Sequence, residues 1–568
     1  MRKDQAGAFA LAGIVAAGAA ASAAFHVGLA VSGVDGASWN PAALILQLAS
    51  GQTRMPARGW AATAAAMAGI VLPLAAAALW QIRRRARRAR GDSKARLTGG
   101  KKASLSVRAR AVADKARAFG LDPAKHPGYP LGRAVSGGEK LYGDWESVGT
   151  IIAGPRTGKT VGFAVPFVLS GPGAVLATSN KRDLVDSTRL VRERATGEPA
   201  WVFDPCEITK RPPEFYWNPL TYLTSDGFNG SIVARARTLS RILGDASRAT
   251  GGKAAASTYH PFWDGGGDAV RSHLLAAAAL DGRSMADVHR WASKETDVDP
   301  VDILRAHGLG SSASELQGAL DLPADTKGGV WASARMGLGW VADPAIEAWW
   351  TPGKTRQAFD PAVFVQSRQT LYSLSADSTE ATPLVSALTA VTCLAAEYCA
   401  EANGGRLAVP MMVVLDEAAN VCPWQELPKL YSHLGSRGIC PQTILQSWSQ
   451  GIDVWGETGM SKLFSASNTT VYAGGVKETD QLEKISKLIG VQRPDQVSTS
   501  ISHGARSTSV TAEGQERPIA SVDELASLPK GRAWLIATQS RPVLIEIIPW
   551  FATDQRAAVE ESIAVYSK

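Results

Sequence analysis

Val148 to Gly162 reads VGTIIAGPRTGKTVG, a short apolar run that breaks into a glycine-bounded turn carrying Lys159 and Thr160. Phosphate oxygens are best held by backbone N–H groups converging from a tight turn at a helix N-terminus, and only small residues let that backbone come close. Gly154 and Gly158 meet that need, with Pro155, Arg156 and Thr157 between them. Lys159 is then placed to reach the β- and γ-phosphates of ATP, and the Thr160 hydroxyl to ligate Mg²⁺. In one place the loop departs from the usual pattern: Ala153 stands where glycine is expected, and Gly154 follows one position later. Such a turn needs a partner carboxylate before it reads as a nucleotide site.

That partner stands after Leu407 to Leu415, LAVPMMVVL, a nearly continuous apolar run that reads as a central strand buried on both faces, with Pro410 near its start. Asp416 and Glu417 follow at its carboxyl end. In this arrangement the aspartate holds the Mg²⁺ shell and the glutamate polarises the attacking water. Gln442 to Gln446 reads as a further short strand, and an adjacent position would bring Gln446 beside the γ-phosphate, where a glutamine orients water. Between the two lies Leu434-Gly435-Ser436-Arg437-Gly438, a basic turn. Arg437 is either an arginine finger reaching a neighbouring subunit's nucleotide or a surface arginine.

Outward from these motifs the chain alternates strand and helix. After the loop, Val161 to Leu169 continues as a helix that Pro166 is expected to kink or stop. Gly173 to Thr178, Leu184 to Arg194 and Pro199 to Pro205 then read as strand, helix and strand, and Thr370 to Ser375 and Pro383 to Ala402 as strand and helix. Such alternation predicts an α/β fold with a parallel sheet and ligands at the carboxyl ends of its strands. From Ser231 to Trp350 the chain is alanine- and leucine-rich at helical spacing, which predicts a mainly helical insert. Its tryptophans, Trp263, Trp291, Trp331, Trp340, Trp349 and Trp350, are expected in a core, with stacking on single-stranded bases as the other reading. Ser498 to Glu516, rich in Ser, Thr and Gly, is expected to be mobile, and its residue types assign it no particular role.

The start of the chain has a different character. Ala6 to Val34 and Trp60 to Ile82 carry no charged residue, and each is long enough to span a bilayer. The second is followed at once by RRRARRAR, Arg83 to Arg90, which places everything after it in the cytoplasm. Ala42 to Ala49 is a further apolar patch suited to a membrane surface. Basic residues continue to Arg117, so a linker attracted to anionic lipid is expected. The 568 residues and formal charge of +8 fit several folding units and an anionic partner. The five cysteines are scattered without paired spacing, which argues against a zinc site or a disulfide framework. The expected division is a membrane domain over 1–82, a basic linker over 83–130, nucleotide-binding segments over 131–225 and 356–568, and an all-α insert over 226–355.

IIAGPRTGKTVGFAVP, VFDP, NPL, the block from Val413 to Gln450 and YAGGVKETDQLEKISKLIG together resemble the TraG/TraD type IV secretion coupling proteins. The resemblance runs from about Leu141 to Trp550. It departs where that family commonly shows Asp-Pro-Lys-Gly-Glu and this chain has Thr178-Ser179-Asn180-Lys181-Arg182-Asp183. It implies a RecA-like P-loop ATPase with two N-terminal transmembrane helices and an inserted all-α domain. It further implies a homohexamer that takes relaxase-bound single-stranded DNA from the relaxosome to a secretion channel in conjugation. Three alternatives stand beside it: an FtsK-type double-strand translocase, a coupling ATPase for protein effectors, and a membrane scaffold that binds nucleotide without turnover. The first is disfavoured by the lack of a winged-helix module after Trp550, and the last is motivated by Ala153.

Overall fold

The computed structural model of the chain describes residues 21–35, 37–51, 54, 56–69, 93–98, 105–250, 260–376, 379–492, 496–502, 505–511 and 516–567. The chain divides into a unit up to Gly91 and a second unit from Asp92 onward.

The second unit is built on one eleven-stranded sheet. In chain order its strands are β1 (Tyr129–Ala134), β2 (Lys140–Gly143), β3 (Gly149–Ile152), β4 (Val175–Ser179), β5 (Trp201–Phe203), β6 (Thr370–Leu374), β7 (Met411–Leu415), β8 (Ile439–Leu445), β9 (Thr469–Tyr472), β10 (Arg532–Ala537) and β11 (Val543–Glu546). Across the sheet the order is β2-β1-β11-β10-β9-β3-β8-β7-β4-β6-β5. From β9 to β5 every neighbouring pair is parallel. From β9 to β2 every pair is antiparallel. Every residue of β3, β4, β6, β7 and β8 is buried, as a parallel sheet covered on both faces requires. The loop after β3 and the acids after β7 therefore leave the sheet at the same edge, with β8 between them.

Around the sheet lie α1 (Ala109–Ala118), α2 (Val165–Ser170), α3 (Asp183–Thr196), α4 (Thr382–Ala402), α5 (Trp448–Ala466), α6 (Thr479–Ile489) and α7 (Arg556–Tyr566). The helix expected from Val161 begins as a π-helical turn, Thr160–Ala164, before α2. Pro166 does not stop it: the backbone is helical on both sides, and the π turn lies directly before the proline, whose missing N–H breaks the regular ladder. Part of the expected linker is folded: α1 buries Val112, Ala113 and Ala116, and Tyr142 donates its N–H to the Val107 carbonyl. The polar stretch near Ser498 forms an antiparallel pair, Gln496–Ser502 with Ala505–Thr511.

Between β5 and β6 the chain is helical, with helices Ile232–Thr250, Pro261–Leu280, Met285–Ser293, Asp299–Ala306, Gly310–Leu320, Ala324–Arg335 and Pro344–Trp350. Trp291, Trp331, Trp340, Trp349 and Trp350 are all buried, and Trp263 is packed at the rim of the same core. Their apolar rings hold the helices together, which is the core reading. A fully buried arginine, Arg271, bonds the carbonyls of Ser240, Ser333 and Met336 and pins three helices at one point.

In the first unit Ala21–Ser32 is a short apolar helix, Pro41–Ala49 forms a second and residues 57–69 a third. Phe25 and Trp60 meet edge to face at 5.4 Å, so the first and third helices touch. Among the described residues the one helix long and apolar enough to cross a membrane is α4, which is 78% buried and belongs to the core of the sheet domain. The expected spans, about 6–34 and 60–82, extend onto residues 1–20 and 70–82, which lie outside the described residues.

Candidate nucleotide-binding site

The irregular first position of the phosphate loop has a structural account. Ala153 is fully buried and still on the sheet, donating its N–H to the Leu445 carbonyl of β8 at 3.0 Å. The chain leaves the strand at Gly154, whose N–H bonds the Gly474 carbonyl at 3.0 Å. A Cβ on Gly154 would run into the backbone of Gly475. Glycine is therefore required at 154, where two backbones touch, and not at 153. Beyond it Arg156 and Gly158 take left-handed conformations, with φ of 61° and 93°, and the Thr157 hydroxyl bonds the Gly154 carbonyl at 2.7 Å. Pro155 and Arg156 are exposed at the tip.

At the head of the π-helical turn, Lys159 and Thr160 face the two acids. Lys159 is ion-paired through Nζ to Glu417 Oε1, and the Thr160 hydroxyl donates to Asp416 Oδ2 at 3.2 Å. Gln446, just past β8, donates its Nε2 to both Glu417 oxygens, at 2.7 and 2.8 Å. Glu417 holds φ of 55° and ψ of 41°, a left-handed conformation that costs a non-glycine residue of order 1 kcal/mol and recurs at functional sites. The Asp416 backbone carbonyl accepts from the Thr178 hydroxyl of β4 at 3.2 Å. Its other carboxylate oxygen, Oδ1, is buried without a partner. Burial pushes the Asp416 carboxyl up to about 6, with the neighbouring Glu417 charge adding to the rise and Lys159 and Thr160 opposing it.

Five of the expected residues thus converge: Lys159, Thr160, Asp416, Glu417 and Gln446. Arg437 does not join them. It lies in the 3-10 turn Gly435–Arg437, before β8, whereas Gln446 follows β8. Seven extended residues separate the two ends by about 20 Å. Arg437 is bonded at 2.5 Å to Glu397 and at 2.7 Å to Glu401, both at the carboxyl end of α4. Its place excludes it from this chain's own site, and within the chain it is held as a surface ion pair.

Three contributors were not named as site residues from the sequence. Gly474 and Gly475, both at positive φ, form the wall against which the phosphate loop packs. The signal available was a glycine doublet directly after a strand. Glu478 accepts from the N–H groups of Trp448 and Ser449 at 2.8 and 2.9 Å. It thereby ties the loop after β9 to the start of α5, beside Gln446.

Family comparisons agree with the geometry. Residues 102–263 match a family model described as Type IV secretory system Conjugative DNA transfer. Residues 410–530 match one described as TraM recognition site of TraD and TraG. Together these two matches support a type IV coupling protein of the TraG/TraD family. Among solved structures it is similar to the unbound bacterial conjugative coupling protein TrwBdeltaN70, at 16% identity and a TM-score of 0.51, covering 71% of this chain and 84% of that one. It is also similar to the plasmid coupling protein TrwB solved with ADP and Mg²⁺, and to TrwB with a non-hydrolysable ATP analogue, each at 16% identity, a TM-score of 0.50 and 71% and 85% coverage. At that identity the likeness establishes the α/β fold of this coupling protein. No curated protein matches the chain in sequence.

Proposed function

We propose that this coupling protein is an ATPase whose hydrolysis drives the transfer of single-stranded DNA, with Gly154 to Thr160 holding the phosphates. The observation that carries the reading is the single cluster in which Lys159 meets Glu417, Thr160 meets Asp416 and Gln446 meets Glu417. Asp416 Oδ1, buried and unpartnered beside the Thr160 hydroxyl, is the oxygen expected of a cation ligand, so the residues fit Mg²⁺. Bound there with ATP, Mg²⁺ supplies neutralisation of charge on the phosphate oxygens. The rest belongs to the chain. The backbone of the left-handed turn presents N–H groups to phosphate, and Lys159 exchanges its bond to Glu417 for one to the β- and γ-phosphates. That exchange frees Glu417 to accept a proton from water, while Gln446, bonded to the same carboxylate, fixes the direction in which it points. The account of Ala153 removes the motive for a non-hydrolysing scaffold.

The coarser architecture follows the family. We read the unit before Gly91 as the membrane anchor, with spans at about 6–34 and 60–82. Val27, Val31 and Trp60 are about half exposed, as lipid-facing residues would be. Arg83 to Arg90 would lie against anionic lipid, the helical insert would meet the relaxase and relaxosome, and the ring would be a homohexamer delivering to the secretion channel. The test of the site is ATP binding and turnover by the full-length chain in detergent. Lys159→Ala is expected to lower affinity and abolish turnover, and undiminished hydrolysis in that variant would sink the assignment.

A further inference from the structure

The first turn of α3 is an unusual helix start. The Ser187 hydroxyl bonds the Asp183 carbonyl and the Thr188 hydroxyl bonds that of Leu184. The fully buried Ser562 of α7 sits across the next step, donating to the Asp186 carbonyl at 2.7 Å and accepting from the Leu190 N–H at 3.2 Å. Those are the two groups that an α-helix pairs with each other. Hydroxyls on helix carbonyls compete with the backbone ladder, so the packing of α7 helps to set this part of α3. Immediately before it, Arg182 bonds Asp186 at 2.7 Å and the backbone carbonyl of Tyr566. The guanidinium groups of Arg189 and Arg211 lie over the Tyr566 ring, at 4.9 and 4.8 Å, and the Tyr566 hydroxyl donates to Glu193 at 2.8 Å. Arg182, in the string Thr178 to Asp183 that departs from the family pattern, thus ties that string to the latch on one side. On the other side Thr178 pairs with Leu415 in register, which sets the string level with Asp416 and Glu417.

We propose that Ser562 and Tyr566 are positioning residues for the nucleotide site, acting through the start of α3. The inference rests on the site being a nucleotide site. Loosening α7 lets the β4–α3 turn shift against Asp416, so affinity and turnover change without any residue at the phosphates being touched.

The test uses the full-length chain in detergent, titrated with N-methylanthraniloyl-ADP and Mg²⁺ and assayed for ATP turnover, with amide exchange followed over residues 180–190. Ser562→Ala and Tyr566→Phe are expected to change affinity or kcat by at least about threefold, since small displacements at a reacting centre have large rate effects. Ser562→Thr, which keeps the hydroxyl, is expected to behave as the unaltered chain. Exchange at the Leu190 amide is expected to quicken by about tenfold in Ser562→Ala. Quickened exchange with affinity and turnover unchanged in both variants would overturn the proposal and leave the site reading intact. An unaltered chain that bound no nucleotide would overturn the site reading first, and the latch with it. Losses that Ser562→Thr failed to restore would also overturn the proposal, pointing to general destabilisation.

Discussion

Asp416 keeps one carboxylate oxygen without a partner in a position only 2% exposed. A carboxyl raised from 3.8 to about 6 in the folded state favours its protonated form there, so its ionisation opposes folding. The cost is absent below the unfolded value, grows as pH rises from about 4 to about 6, and is constant above that. Two pKa units amount to about 3 kcal/mol. Asp416→Asn, which is neutral and nearly isosteric, is therefore expected to raise the melting temperature of the nucleotide-free protein at pH 8 and to lose that advantage at pH 4. A calorimetric scan at the two pH values checks it; an equal gain at both would show that the carboxylate is not the source. At this scale the sequence was informative where the chemistry is local. Lys159 and Thr160 follow their glycine turn directly, and Asp416 and Glu417 follow their apolar strand. Gly475 was not legible as a site residue, because what it touches, Gly154, is brought to it only by the pairing of β9 with β3.

Elements show the same divide. Strands of the parallel half were readable because burial on both faces leaves them almost purely apolar, as in MMVVL of β7. Strands β1 and β2, YPLGRA and KLYG, carry proline, glycine and charge, and their pairing at the antiparallel edge had no such signature. α1 was hidden in the same way: its basic residues read as linker, although Val112 and Ala116 are buried. Which end of a strand a turn occupies depends on strand direction, and that is why Arg437 could be named near this chain's own site although it lies at the other end of β8. Arg437→Ala is expected to leave ATP turnover within roughly threefold of the unaltered chain, whereas loss of an arginine finger costs on the order of 10³-fold or more. Steady-state hydrolysis separates the two outcomes, and a collapse of kcat would reinstate the finger.

For the whole molecule, the sheet gathers three distant segments at one edge, and it does so by topology rather than by proximity along the chain. β8 lies between the phosphate-loop strand and the strand bearing the acids, so Gln446 emerges where it can hold Glu417 while Lys159 holds it from the other side. The helical insert enters between β5 and β6, at the far end of the parallel half. On the proposed function, nucleotide chemistry becomes movement only if Glu417 is released from Lys159 and then acts on water. The most direct measurement is ATP turnover by the full-length chain in the presence of single-stranded DNA, compared with the Glu417→Gln variant under conditions where both bind ATP. Loss of a general base lowers the rate by about 10²–10⁴-fold, and the account predicts a fall of that size with ATP affinity retained. Turnover in Glu417→Gln equal to that of the unaltered chain would contradict it.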